Sequence, residues 1–138
     1  MAELFSPAEM AATHAAAFTQ SRPWSEDEFT DLLNSPLTFA VGDARCFALV
    51  RVIVDEAELL TIATHPDHQR RGLARTIMSD WQAQAIAKGA ENAFLDVAAD
   101  NTAACHLYTS CGFTKCGNRP GYYARSTGPA VDAVLMRR

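Results

Sequence analysis

The sequence predicts a mixed α/β (α+β) domain, a sheet with helices packed on it, and three observations predict it. Short apolar runs rich in β-branched residues follow one another between turns from Thr38 to Thr64. At Arg71 the apolar spacing changes from strand-like to helical, and it holds to Lys88. The remainder alternates strand, short helix and two further strands, an order that layers helices against one sheet. With 138 residues and 49% hydrophobic content, the chain reads as a single domain, 1–138, large enough to bury a core.

Pro7–Phe18 reads as a first helix, with proline near its start and an alanine-rich body. In RPWSEDEFTDLL, Ser25 is a good N-cap and Glu28, three residues on, completes a capping box, so a second helix starts there. Thr38–Val41 and Cys46–Val54 read as strands separated by the turn GDA. Asp55 and Glu56 mark a turn into a third strand, Leu59–Thr64, which Pro66 ends. Leu73, Ile77 and Trp81 then recur at four-residue steps with Met78 and Ala85 beside them, while Ser79, Asp80, Gln82 and Lys88 take the other face. This helix is Arg71–Lys88, and Gly89 suits the position just past its end. NAFLDVAA is a fourth strand, and Asp100 or Asn101 caps a short helix that stops at Gly112. FTKCGNRPGYYA and AVDAVLMRR close the chain as two more strands, with RSTGPA connecting them.

Composition excludes several functions. A net charge of -4 argues against a general polyanion-binding surface, so no nucleic-acid partner is expected. No apolar run approaches the length of a membrane span, and the start MAELFSPAEM lacks the basic and apolar regions of an export signal. Cys46, Cys105, Cys111 and Cys116 form no CxxC pair and suit reduced thiols, so a cytoplasmic protein is expected. His65, Asp67 and His68 lie in a loop without the spacing of a zinc site, and no metal is expected. Cys105 and His106 are adjacent on a helix, so their side chains point about 100° apart and make no nucleophile–base pair.

The most informative stretch is HPDHQRRGLARTIM, His65–Met78, which follows the apolar run ELLTIAT. Helix starts usually favour acidic or hydroxyl residues, because the first N–H groups carry partial positive charge. Arg70 and Arg71 make this start more positive, which suits an anion from outside the chain. Gly72 lets backbone approach a ligand without a Cβ in the way, and Ala74 is the next smallest choice. Neither GxGxxG nor GxxxxGK[ST] is present, so the site is not one of the common nucleotide loops.

Gln69–Ala74, QRRGLA, resembles the R/Q-x-x-G-x-G/A loop of the GNAT superfamily of N-acetyltransferases. FLDVAADNTAACHLYTSCGF is similar to the second half of that fold, a strand leading into N-x-x-A-x-x-L-Y-x-x-x-G-F. RPGYYARSTGPAVDAVLM resembles the ending of its RimI-like branch, the ribosomal-protein-alanine N-acetyltransferases. The resemblance implies a mixed, mostly antiparallel sheet with a splayed central strand pair, flanked by about four helices. It implies acetyl-CoA as co-substrate, with no metal. The acceptor it implies is a primary amine, in the RimI-like branch the N-terminal α-amine of a protein. Acetyl-CoA's pyrophosphate would sit on the backbone of Gln69, Arg70, Arg71, Gly72, Leu73, Ala74 and Arg75, and its pantetheine arm along Ile62, Ala63 and Thr64.

Amine acetylation needs a neutral amine, stabilisation of the tetrahedral oxyanion and a thiolate that leaves with a proton. By resemblance Tyr108 is the acid that protonates the sulfur, and Asn101 contacts the cofactor as well as suiting a helix N-cap. Asp96 is the candidate base. It sits in the apolar strand FLDVA, where an unpaired carboxylate is costly. The branch tends to carry glutamate there and arginine two residues later; this chain has Asp96 and Ala98, which shortens the reach of the carboxylate. Glu26, Glu58 and Tyr122 stand in reserve as bases, and Glu26, Tyr122 and Tyr123 are placed on the acceptor side. A small-molecule amine acetyltransferase and a non-catalytic acyl-CoA-binding module remain open alternatives, as do a monomer and a homodimer.

Overall fold

The computed structural model describes residues 5–19, 22–125 and 127–138. Residues 1–4, on which part of the export-signal reading falls, and Ser126 of the last connection lie outside the described residues. The element order is α1 Pro7–Ala17, α2 Glu26–Leu33, β1 Thr38–Asp43, β2 Cys46–Ile53, β3 Glu56–Thr64, α3 Leu73–Ala87, β4 Asn92–Ala98, α4 Thr102–Ser110, β5 Thr114–Tyr123 and β6 Val131–Arg137, with a 3-10 turn at Pro66–His68. Both N-terminal helices begin on capping boxes, Ser6 with Glu9 and Ser25 with Glu28, in which the serine hydroxyl accepts from a backbone N–H and the glutamate accepts from the cap N–H.

The strands form one six-stranded sheet in the order β1-β2-β3-β4-β6-β5. All its pairings are antiparallel except β3 with β4. Alternation along each strand divides the core between the two faces. Val50, Ala57, Leu59, Leu95, Val97 and Met136 meet Ile77, Met78 and Trp81 of α3 and Tyr108 of α4. On the opposite face Phe47, Leu49 and Ala63 meet Met10 of α1 and Phe29 of α2. There α1 and α2 pack near β1 and β3, and the face beyond, toward β4, β6 and β5, carries Phe94, Asp96, Leu135 and Arg119.

Three local expectations are corrected. β3 starts at Glu56 rather than Leu59, because the turn is made by Val54, at φ 57, with Asp55; Glu56 and Glu58 are the solvent side of an alternating strand whose buried side is Ala57 and Leu59. α3 starts at Leu73 rather than Arg71, because Gly72 has φ 76 and cannot continue a right-handed helix backward. β5 is not a regular strand. Its register jumps between Lys115 and Gly117 and again between Arg119 and Tyr123. Pro120, Gly121 and Tyr122 therefore bulge out opposite Asp132 alone.

Candidate active site

The site is a gap in the sheet. β3 pairs with β4 only from Glu56↔Asn92 to Leu59↔Leu95. Beyond that point β3 stays bonded to β2 as far as Thr64, and β4 stays bonded to β6 as far as Ala98. The central parallel pair therefore parts after Leu59 and Leu95, as the resemblance implied. The cause is local: the β2 register steps from Leu49↔Thr61 to Val50↔Leu59, which leaves Leu60 as an extra residue that bends β3 where the strands separate. The β3 backbone from Leu60 to Thr64 then has hydrogen-bonding groups facing the gap with no strand opposite them. Ile62, Ala63 and Thr64 lie on this freed edge; the Thr64 hydroxyl is within 3.3 Å of the Cys46 thiol, and Ala63 is buried under α1 and α2.

The mouth of the gap is the turn from β3 into α3. Gly72 is the N-cap of α3, and no side chain caps the helix start. The N–H groups of the first turn, through Arg75, therefore have no intrahelical acceptor. A Cβ built on Gly72 would meet nothing within 4 Å, so protein packing does not demand glycine here. Its left-handed φ does, and the space beside it is open. Arg70 also holds a left-handed backbone, φ 64, which costs a non-glycine residue about 1 kcal/mol. Strain of that kind persists where the turn must aim its N–H groups. Gln69, Arg70, Arg71 and Arg75 are exposed, and among the described residues no acid pairs with any of the three arginines; the Arg71 guanidinium lies 3.1 Å from His68 Nδ1. Leu73 and Ala74 turn partly into the core instead, so they offer backbone rather than side chain.

Tyr108 and Asp96 lie on opposite faces of the sheet at β4. Tyr108, 6% exposed, packs on the α3/α4 side with its ring edge-to-face on Phe113 at 6.4 Å. Its hydroxyl bonds to no described side chain. Burial, with a smaller contribution from nearby Tyr123, pushes the phenol well above its ordinary value, so it stays protonated. Asp96 alternates out of the core between buried Leu95 and Val97. Desolvation raises its carboxyl above the ordinary value, Arg119 pulls it back, and Glu58 raises it again. Tyr123, half-buried, links the two: desolvation and then the Asp96 carboxylate push it up to about 12, and Tyr123 in turn acts on Tyr108.

Asn101 is the N-cap of α4, its side chain accepting the Ala104 N–H at 3.2 Å. This fixes the turn between Asp96 and Tyr108 and leaves the rest of the amide exposed. Tyr122 is 51% exposed and meets Tyr123 edge-to-face at 5.1 Å. Glu26 stands apart: it is exposed on the first turn of α2, a helix packed on α1 and β1, and no described contact links it to Asp96. Glu58 is committed to Arg51 in an ion pair on the open face. Among the described residues no group of three or more His, Cys, Asp or Glu could hold a metal ion. Cys105 is half-buried while His106 is exposed, so they do not pair.

Sequence reading missed three groups here. Arg119, which lies near Asp96 and 5.2 Å over the Tyr122 ring, was hidden in a segment read as plain strand. Asp132 accepts from Gly121 N–H at 2.9 Å and from the Asn118 amide at 3.2 Å, and so holds the bulge that presents Tyr122. Arg125 bonds Asp100 across the corner of the site. The Pro120-Gly121 pair was the available signal for a break in β5, since neither residue favours strand interior.

An extended donor can pair with the freed edge of β3 while its anionic end meets the uncapped start of α3, and this is the working arrangement of an acyl-coenzyme A-dependent transferase. The chain belongs to the acetyltransferase (GNAT) family, whose model matches residues 8–113. It is 37% identical over 131 residues, 91% of this chain and 87% of the relative, to the [ribosomal protein bS18]-alanine N-acetyltransferase of Escherichia coli (strain K12). The crystal structure of the ribosomal-protein-S18-alanine N-acetyltransferase from Escherichia coli is similar with a TM-score of 0.85 and 31% identity, covering 95% of this chain and 85% of that one. Arabidopsis thaliana NAA60 in complex with a bisubstrate analogue has the same fold, with a TM-score of 0.80 at 15% identity over 99% of this chain and 95% of that one. The chain is an acetyl-CoA-dependent N-acetyltransferase.

Proposed function

We propose that the chain transfers the acetyl group of acetyl-CoA directly to the N-terminal α-amine of a protein, as the name of its Escherichia coli relative describes for ribosomal protein bS18. The observation that carries this is 37% identity over 91% of the chain. Gln69–Arg75 hold the pyrophosphate by backbone N–H groups, with Arg70, Arg71 and Arg75 adding charge. Ile62, Ala63 and Thr64 pair with the pantetheine arm, and Asn101 contacts the donor from the start of α4. Tyr108, kept protonated by its buried setting, gives its proton to the departing sulfur. Asp96, directly or through one water, takes the proton of the attacking amine, and backbone N–H groups of the splayed strand serve the oxyanion.

The acceptor lies on the open face, where Asp96, Arg119, Tyr122 and Tyr123 surround the far side of the gap. Aromatic side chains with hydroxyls pack an extended peptide and hydrogen-bond its backbone. An α-amine suits a short base: its ordinary pKa is about 8, against about 10.4 for lysine, so far more of it is already neutral near pH 7.5. The chain needs no membrane and no nucleic acid for this reaction, and a cytoplasmic setting supplies both substrates. Steady-state kinetics with Tyr122→Ala and Tyr123→Ala test the acceptor assignment. Each raises the KM for a peptide with a free N-terminus while acetyl-CoA affinity stays within about twofold. Equal loss of both affinities would reject the acceptor role.

A further inference from the structure

We propose that Arg125, acting with Asp100, is a positioning residue that holds Tyr123 on the acceptor side of the gap and thereby sets how tightly the acceptor is bound. The proposal rests on the reading of the gap as the transfer site. Arg125 follows β5 by two residues and lies in the connection to β6, where long cationic side chains usually extend into water. Its side chain is instead only 11% exposed. Each nitrogen of the guanidinium donates one hydrogen bond. Nε donates to Asp100 Oδ2 at 3.2 Å, Nη2 donates to Oδ1 at 2.7 Å, and Nη1 donates to the Ala124 carbonyl at 3.2 Å. The same guanidinium lies 5.9 Å from the centre of the Tyr123 ring.

A single exposed ion pair would carry little weight. A two-pronged arginine–carboxylate pair that also stacks on an aromatic ring is the exception, because geometry is fixed in two directions at once. The partners matter for what they connect. Asp100 immediately precedes Asn101, the cap of α4, and α4 carries Tyr108. Tyr123 is the residue whose phenol feels Asp96 and acts on Tyr108. The pair thus ties the element bearing the acid to the strand end bearing the acceptor-side tyrosines. At the other end of the same segment Asp132 holds the Pro120–Tyr122 bulge. The segment carrying Tyr122 and Tyr123 is thus anchored at both ends, at the bulge by Asp132 of β6 and beyond Tyr123 by Asp100 through Arg125.

The test compares Arg125→Met, Arg125→Lys, Asp100→Asn and the double variant Asp100→Asn/Arg125→Met with the unaltered chain. The probes are acetyl-CoA and a peptide with a free N-terminal alanine. Peptide KM and kcat come from product mass, acetyl-CoA Kd from calorimetry and folding from thermal melts. Arg125→Met raises the peptide KM about tenfold and leaves the acetyl-CoA Kd within about twofold. Arg125→Lys, which keeps a cation over Tyr123 but loses the fork, falls between. Asp100→Asn adds nothing once Arg125 is gone, because the two act as one unit. Should Arg125→Met not fold, Arg125→Lys and Asp100→Asn carry the same comparison. A peptide KM within twofold in all variants, or a loss of donor and acceptor affinity together, overturns the clamp. An unaltered chain that acetylates no peptide while it binds acetyl-CoA refutes the reading of the acceptor side itself, and the clamp's role with it.

Discussion

Replacing Tyr108 by phenylalanine separates packing from proton donation. The ring sits in the core and contacts Phe113, and phenylalanine keeps that contact. The lost hydroxyl makes no hydrogen bond to a described side chain, so its removal costs less than the ~1 kcal/mol of a typical hydrogen bond. The proposed donor contacts at the α3 start and the freed edge of β3 are unaltered, so acetyl-CoA binding is unchanged. Chemistry suffers alone. A positioned acid contributes about 10²- to 10⁴-fold, which is ~3–5 kcal/mol of barrier. Tyr108→Phe therefore lowers kcat at least 100-fold, with peptide KM and acetyl-CoA Kd within about twofold and a melting temperature within a few degrees. Cys116 is an exposed thiol, so acetylated peptide is best quantified by mass rather than with a thiol reagent. A fall in turnover of less than about threefold would refute the assignment and leave Tyr108 as a packing residue.

Gly72→Glu places bulk and negative charge where the pyrophosphate approaches; calorimetry should show acetyl-CoA binding weakened tenfold or more, and unchanged affinity would remove the loop from its role. Asp96→Asn lowers kcat and also stabilises the fold at neutral pH. Because the folded carboxyl titrates above its ordinary value, the ionised form opposes folding and stability falls as pH rises through that titration; a variant less stable than its parent at pH 7 would contradict this. His14 is buried between Phe18 and Trp24 and accepts the Trp24 N–H. Burial pushes it down from 6.5 to about 4. Its neutral form's contribution is complete above pH 6.5 and is lost as pH falls toward 4. At ~1.4 kcal/mol per pH unit the loss is at most ~3 kcal/mol, and solvent screening brings it to ~1–2 kcal/mol. Denaturant melts from pH 7 to 4.5 should show that slope, and His14→Gln should flatten it; an equal slope in both would reject the cause.

Much of this architecture was legible in the sequence. Ser25 with Glu28 gave the start of α2, the spacing of Ile77, Met78, Trp81 and Ala85 gave the buried face of α3, and the pair Asp100-Asn101 gave the cap of α4 to within one residue. These are local devices, set by residues within one or two turns of each other. The gap was not legible from residues alone. It depends on Leu60 lying opposite no single β2 residue, a register fact that requires β2 and β3 together. The same holds for the Pro120–Tyr122 bulge, whose anchor Asp132 is on the neighbouring strand, and for Arg125 and Asp100, which are 25 residues apart. Asp96 shows both sides. Its place in an apolar strand was evident, and the expected cost of burying it is met by alternation, which turns it outward toward Arg119 while Leu95 and Val97 fill the core.

The central claim is that an α-amine is the acceptor, and the position of the added acetyl group tests it most directly. A peptide with a free N-terminal alanine and one internal lysine is incubated with the chain and acetyl-CoA at pH 7.5, and the product is fragmented in a mass spectrometer. At that pH roughly a quarter of α-amines are neutral against about one lysine in a thousand. The expected product carries a single acetyl group on the alanine α-amine, with the lysine unmodified, and its rate rises with pH until the α-amine is fully neutral. Acetylation of the lysine, or of a free polyamine, at least as fast as the α-amine would contradict the account and leave an N-acetyltransferase with a different acceptor.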